Sequence, residues 1–173
     1  EVADFAKSVQ DSVAGSLDKC PMSWVTAYWG ATEGYNTKRS AFWRSIRRVV
    51  EDLGIASVED AGWASHLVWS NLYKVSPASG GNPNDALCDI QFAGCAELLQ
   101  LELDTYRPSR VLLLTGADWA DSFVEEWKLQ ETTQFQYVKR AGLYGGAHCV
   151  VAVHPQGKPQ EAWVSEVISA FNR

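Results

Sequence analysis

Apolar residues recur every three or four positions in several stretches of the chain, and this spacing places them on one face of a helix. Phe42, Ile46 and Val49 form such a stripe, between a serine suited to cap the helix at its start and a glycine suited to end it. The helices predicted along the chain cover residues 2–17, 40–54, 85–106, 118–128 and 160–171.

Short runs of apolar and β-branched residues lie between these helices and predict strands. The clearest is 110–116, "RVLLLTG", whose continuous apolar side chains are typical of a parallel strand covered on both faces. The other strands are predicted at 24–29, 66–75, 149–153 and, as a strand or hairpin, within 130–140. Because helices and strands alternate, we predict an α/β fold, a three-layer α/β/α sandwich around a mainly parallel four-stranded sheet, in one domain over 1–173.

Ligands of open α/β sheets bind beyond the carboxyl ends of the strands. Three predicted strands end there in polar sequence, "SNLYK", "TGADW" and "HPQGK", and we expect these ends to line one crevice. Asn71 offers an acceptor and donors for the edge of a nucleobase, and His154 can donate a hydrogen bond or carry charge near neutral pH. Taken alone, each is more simply a turn or strand-end residue that bonds to backbone.

The amino-acid composition and net charge limit the classes of partner that the protein can bind. The chain is 46% apolar with eight tryptophans, which excludes wholesale disorder, and its apolar runs are too short to cross a bilayer. The net charge of −6 gives no general attraction to nucleic acid, so phosphate contacts require a local basic or backbone site. Candidates for these contacts are Lys74, Gly80, Gly81, Asn82, Gln156 and Lys158, with the basic cluster Lys38, Arg39, Arg44, Arg47 and Arg48.

The four cysteines have neither CxxC nor zinc-site spacing. We therefore expect buried thiols in a reducing cytoplasm, and neither a metal nor a cofactor. The sequence also lacks a GxSxG elbow and a GxGxxG fingerprint. A nucleophilic pair of Cys149 with His148 or His154 stays open, although Cys149 is expected to be buried at the start of its strand.

Four short motifs, in their order along the chain, resemble the uracil-DNA glycosylase superfamily. They are "SAFWRSIRRVV", "LVWSNLYKV", "RVLLLTG" and "VVAVHPQG", within residues 40–170. The resemblance implies the fold of that family and a pocket for an extruded base. It implies that Phe42 stacks on the base, that Asn71 reads its amide edge, and that His154 bonds its carbonyl oxygen and stabilises the anion developing there.

Two departures from the family pattern concern catalysis and duplex binding. The family's first motif, Gly-x-Asp/Glu-Pro-like at the end of the first strand, positions the attacking water, and "YWGATEGYN" offers only Gly30 and Glu33 in its place. Either this is a degenerate version with Glu33 in the water-positioning role, or the first strand and its motif lie upstream of Glu1. After His-Pro, "QGKP" stands where the family has the Ser-Pro loop that wedges into the minor groove.

Three functions follow from the resemblance. The first is a monomeric DNA-repair hydrolase that excises uracil or a related damaged base by cleaving the N-glycosidic bond, with DNA as its partner. The second is a non-catalytic domain of the same fold that binds nucleic acid or a nucleobase-containing small molecule. The third is a hydrolase of free nucleosides or other small N-glycosides, because the same pocket chemistry needs no duplex.

Overall fold

The computed structural model describes residues 22–173, which group into two compact units, the first ending at Leu67 and the second spanning Val68–Arg173. The helix predicted over 2–17 lies outside the described residues. Among the described residues, one cluster of buried apolar side chains has its members in the first unit and another has its members in the second. The prediction that 1–173 forms a single domain stays a prediction.

The first unit contains helices and no strand within residues 22–67. Within these residues the α-helices are α1, Ser23–Ala27, and α2, Ala41–Asp52, and 3-10 turns cover Thr37–Arg39 and Trp63–His66. The predicted cap of α2 is confirmed, because the Ser40 hydroxyl accepts a hydrogen bond from the backbone N–H of Trp43 at 3.4 Å. The buried core of this unit consists of Met22, Val25, Trp43, Val50, Val58, Trp63 and Ala64.

The strand predicted at 24–29 is wrong, because residues 24–27 belong to α1 and residues 28 and 29 follow it directly. The backbone N–H of Tyr28 donates to the carbonyl oxygen of Trp24 at 2.9 Å, which is a helical hydrogen bond. The Trp24 ring packs edge-on against Trp43, with centroids 5.3 Å apart. The aromatic and β-branched residues that indicated a strand therefore pack a helical core instead.

The second unit holds the four-stranded sheet and the longest helix of residues 22–173. Its elements are α3 Asp85–Tyr106, β1 Arg110–Leu113, α4 Ala117–Val124, a 3-10 turn Glu125–Trp127, β2 Gln130–Glu131, β3 Val138–Tyr144, β4 Ala147–Ala152 and α5 Gln160–Phe171. The predictions of α3, β1, β4 and α5 are confirmed. Asn84 caps α3, because its side-chain oxygen accepts from the backbone N–H of Leu87 at 3.0 Å.

The strand predicted at 66–75 is also wrong. These residues leave the 3-10 turn and run without strand pairing to the loop before α3. The Gln91 side chain of α3 supplies the missing partner: its oxygen accepts from the backbone N–H groups of Lys74 and Val75 at 2.9 Å, and its Nε2 donates to the Val75 carbonyl at 3.0 Å. One amide side chain thus satisfies the backbone groups that a neighbouring strand would otherwise bond.

The fold belongs to the α/β class, but its sheet is mixed rather than mainly parallel. The order of the strands is β1-β4-β3-β2, with β1 parallel to β4 and the other two pairs antiparallel. Gly145 and Gly146 join β3 to β4 in a two-residue turn at φ 57° and 86°, a conformation that favours glycine. The tight turn forces β3 to run antiparallel to β4, because a parallel connection needs a long crossover.

Candidate functional site

The carboxyl ends of β1 and β4 meet at one edge of the sheet. Leu113 is paired with Val151 in the parallel register, and beyond the strands the backbone N–H of Gly116 donates to the carbonyl oxygen of Ala152 at 3.0 Å. Two of the three strand ends expected to converge, "TGADW" and "HPQGK", are therefore neighbours. The third, "SNLYK", does not end a strand.

His154 follows β4 on a backbone that is held from two sides. The residue before it, Val153, donates its N–H to the Tyr137 carbonyl, and its own carbonyl accepts from Trp163 Nε1, both at 2.9 Å. The residue after it, Pro155, is buried and its carbonyl accepts from the N–H of Lys158 at 3.1 Å. A surface histidine is thereby fixed at a defined position on the sheet edge.

The imidazole of His154 has a defined acceptor nitrogen. Its Nδ1 accepts a hydrogen bond from the backbone N–H of Gln156 at 3.1 Å. In the neutral ring the proton therefore resides on Nε2. Partial burial of the ring lowers the pKa of His154 below its ordinary range, because burial disfavours the charged form. At neutral pH this side chain is an uncharged donor through Nε2–H.

Gln156 and Lys158 lie on the tight turn that follows His154. Both are exposed, and Gly157 between them has φ 71°. Their side chains stand on the same turn as the imidazole, and their contact with nucleic acid stays a prediction. Asp118, two residues after Gly116 in the first turn of α4, also lies exposed at this edge. Sequence reasoning missed it, although its place directly after a strand that ends in Thr-Gly was a usable signal.

Asn71 and Lys74 lie on the irregular segment before α3 rather than at a strand mouth. The Asn71 side chain is exposed. Lys74 is engaged in the unit, because its Nζ lies 3.0 Å from Glu102 Oε1 and also donates to the Ser70 hydroxyl. The positive charge expected to contact phosphate is thus neutralised by a carboxylate of α3.

Gly80, Gly81 and Asn82 form the exposed loop that leads to α3. The two glycines have φ 84° and 87°, and the N–H of Gly80 closes a turn onto the Pro77 carbonyl at 2.9 Å. Consecutive residues in this region of φ require glycine. The positive φ angles of this loop therefore account for its two glycines, and its contact with phosphate stays a prediction.

Glu33 and Phe42 belong to the first unit, whereas Asn71 and His154 belong to the second. Glu33 is exposed in the loop after α1. Phe42 is half-buried and packs edge-on against Trp43, with centroids 4.8 Å apart. This contact gives Phe42 a packing role in the core of its own unit.

Three arginines of the basic cluster, Arg44, Arg47 and Arg48, make contacts inside the first unit. Arg44 donates to the carbonyl oxygens of Lys38 and Arg39 at 3.1 and 2.8 Å. Arg47 pairs with Glu59 at 2.9 Å and lies over the Trp29 ring, and Arg48 pairs with Asp52 at 3.3 Å. These contacts tie the loops to α2 and reduce the positive charge that the cluster presents.

The pairing of Cys149 with His148 or His154 as a nucleophile stays a prediction, and the burial of the thiol argues against it. Cys149 is buried in β4, and desolvation raises the pKa of its thiol to about 11, so the reactive thiolate is suppressed at neutral pH. His148 is exposed, and as the adjacent residue of the strand it points to the opposite face. The thiol is a small apolar component of the core.

A separate cleft of about 560 Å³ lies at the other end of the parallel pair. It is lined by residues that precede β1 and by the turn between β3 and β4, together with the last turns of α3, and His154 does not contribute to it.

Among residues 22–173, no group of three or more His, Cys, Asp or Glu side chains is arranged to hold a metal ion, and no helix is long and apolar enough to cross a membrane.

Comparisons with protein-family models, with curated proteins and with solved structures give no match to this chain. The relationship to the uracil-DNA glycosylase superfamily accordingly stays a resemblance of four short motifs.

Proposed function

We propose that the second unit recognises a nucleobase or a nucleobase-containing small molecule at the edge formed by the ends of β1 and β4, with His154 as the donor to a carbonyl oxygen of the ligand. The observation that carries this proposal is the hydrogen bond from the Gln156 N–H to His154 Nδ1, which assigns the proton of the neutral ring to Nε2. Uracil and related bases present carbonyl oxygens that such a donor matches.

The lowered pKa of His154 supports the same role. A neutral imidazole can approach a neutral ligand without the cost of burying a charge. A hydrogen bond of this kind contributes about 0.5–1.5 kcal/mol to a neutral acceptor and about 1.5–3 kcal/mol to a charged one. The contact therefore strengthens if the ligand oxygen gains negative charge.

That gain makes hydrolysis of an N-glycosidic bond the second candidate. When the bond to the sugar breaks, the bonding electrons leave with the base, and negative charge develops on its carbonyl oxygen opposite the His154 donor. In this function water adds to the sugar carbon, and Asn71, which lies in the same unit as His154, would read the edge of the base. Gln156 and Lys158, on the turn beside the imidazole, are the phosphate contacts that DNA as a substrate calls for.

The three-layer arrangement is part of the proposal. Cys149 and Val151 of β4 pack with α4 and with side chains of α3, and α5 contacts β3 and β4. Val150 and Ala152 are also buried and alternate with the first pair along the strand. Helices on both faces of the sheet account for this pattern, and ligand binding at the strand ends is usual in such folds.

Binding is tested by titrating the full chain with uracil while the imidazole resonances of His154 are followed by NMR. We expect saturable shifts at His154 in the wild type, retention of binding in His154→Gln, whose amide nitrogen can replace Nε2 as a donor, and loss in His154→Phe. Uracil binding that is equal in wild type and His154→Phe would overturn the recognition proposal.

Cleavage is tested under single-turnover conditions, with excess protein, on a uracil-containing single-stranded oligonucleotide, on the matched duplex and on free deoxyuridine. Base release from DNA supports the glycosylase, and release only from deoxyuridine supports a small N-glycoside hydrolase. Binding of uracil without release from any substrate supports recognition alone and rejects hydrolysis.

A further inference from the structure

Helix α3 carries apolar side chains on both of its sides. On the inner side Phe92, Cys95 and Leu99 pack in the core of the second unit. On the outer side Ile90 is 82% exposed, Leu98 44% and Leu101 60%. A helix with one partner layer normally has polar residues on its outer side, and a helix that is apolar all round is normally buried. The outer side of α3 therefore has the composition of a covered surface.

The outer apolar residues form one continuous stripe. Ile90, Gly94, Leu98 and Leu101 follow one another at spacings of three or four residues, which places them in line along the helix. Gly94 lies inside the stripe, and a Cβ placed there would meet no atom within 4 Å. A glycine between large apolar side chains leaves a depression into which a side chain of a partner can fit. We call these four residues the outer stripe.

The charges of α3 indicate what kind of partner fits. Every charged residue of this helix is acidic: Asp85, Asp89, Glu97, Glu102 and Asp104. Glu102 is paired with Lys74 beside the inner side, whereas Glu97 and Asp104 are exposed and lie one turn from Leu101. The outer stripe thus has an acidic border and no basic residue of α3 to balance it.

This border argues against two of the occupants that an apolar stripe can have. A second copy of the chain docked through the same stripe would bring acidic borders together, and an anionic membrane surface would repel them. A helix with an apolar stripe bordered by Lys or Arg is complementary to both features, in the manner of helix-in-groove recognition.

We propose that the outer stripe of α3 is the docking surface for a basic amphipathic helix of another protein, which packs its apolar side chains on Ile90, Leu98 and Leu101 and places Lys or Arg beside Glu97 and Asp104. This surface lies on a different element from His154, so the inference does not depend on the proposed ligand site.

The test uses the full chain and two labelled synthetic helical peptides of equal length and identical apolar pattern, one with Lys and one with Glu at the polar positions. We expect saturable binding of the Leu/Lys peptide, measured by fluorescence anisotropy, and none of the Leu/Glu peptide. Leu101→Ser is expected to weaken binding by about tenfold or more. The double variant Glu97→Gln and Asp104→Asn is expected to weaken it and to reduce its dependence on salt.

Leu143→Ser is the matched control, because Leu143 is 64% exposed on β3 and lies outside the stripe. Equal weakening by Leu143→Ser and Leu101→Ser would show nonspecific attraction to an acidic protein and overturn the proposal. Absence of binding by the Leu/Lys peptide would do the same. Sedimentation gives the remaining outcome: a dimer of the wild type that Leu101→Ser dissociates would identify a second copy as the occupant and replace the proposal.

Discussion

At the scale of the residue, the state of His154 is the feature on which the ligand site depends. The Nδ1 atom accepts from the Gln156 N–H, and partial burial lowers the pKa of the ring. Neither the hydrogen bond nor the partial burial of the ring can be predicted from the sequence. His-Pro after an apolar run indicates only that a histidine follows a strand. The sequence could therefore locate the residue but not its tautomer.

We predict that His154 is the Nε2–H tautomer when neutral and that it titrates below about pH 6.5, the ordinary value for histidine. Since the pKa is lower in the folded state, the unfolded chain takes up the proton first, and stability falls as the pH drops below 6.5. Imidazole ¹⁵N shifts over a pH series measure both properties. A neutral ring protonated on Nδ1, or a midpoint above 6.5, would contradict the prediction.

Asp121 and Arg140 form the closest ion pair between a helix and the sheet in the described residues. The guanidinium donates through Nε and an Nη to both carboxylate oxygens at 2.6 and 2.7 Å, and these bonds hold the pKa of Asp121 below its ordinary range. We expect Asp121→Ala to lower the free energy of unfolding by about 1 kcal/mol, because the side chain of Asp121 is 42% exposed and water screens part of the attraction.

Urea denaturation of Asp121→Ala at neutral pH measures that loss. Glu131→Ala is the control, since Glu131 contacts the same arginine at 3.2 Å from a much more exposed position and should cost about 0.5 kcal/mol or less. Because the pKa of Asp121 is lowered by folding, its contribution is present above about pH 4 and is lost as the pH falls further. Equal losses of stability for the two variants at neutral pH would mean that the bidentate geometry of the Asp121–Arg140 pair adds no stability beyond that of a single exposed ion pair.

At the scale of the element, periodicity predicted the helices well and apolar runs predicted only some strands. The bounds of α3 and α5 agree with the predicted 85–106 and 160–171, because both helices are set by local apolar spacing and α3 is also capped by Asn84. The strand at 66–75 failed because its backbone is bonded by one distant side chain, Gln91, which no local pattern reveals. Because residues 66–75 do not form a strand, Asn71 does not lie at the end of a strand as predicted.

The same contact yields a prediction for the segment before α3. We expect Gln91→Ala to lower stability by about 1–2 kcal/mol, since it removes three hydrogen bonds to the backbone of Lys74 and Val75. Amide hydrogen exchange at these two residues should accelerate together. Gln100→Ala serves as the control, because Gln100 is another glutamine of α3 and its side chain bonds Asp104 and the Tyr144 hydroxyl rather than residues 74 and 75. Acceleration at residues 74 and 75 in the control variant would contradict this assignment.

At the scale of the whole molecule, the residues that the resemblance assigns to one pocket are divided between two units. The first unit contains Phe42 and Glu33, and the second contains Asn71 and His154. Sequence order alone cannot reveal such a division, because each motif is short and the helices on either side of the boundary have the same periodicity. The part of the candidate site that the structure describes is the edge of β1 and β4.

The last prediction is that the second unit, residues 68–173, folds on its own. Its apolar core is formed from α3, α4 and the sheet, and Phe123, Trp127 and Cys149 are buried there together. With this core retained, we expect the isolated segment to keep its circular dichroism and to unfold in one cooperative transition in urea.

Within the second unit, Trp127→Ala should lower the free energy of unfolding by about 3–5 kcal/mol, because it removes a buried ring that stacks on Tyr144 at 4.7 Å. Trp119→Ala, a half-buried tryptophan of α4, should cost less. A non-cooperative transition of 68–173 would show that its core needs residues from the first unit.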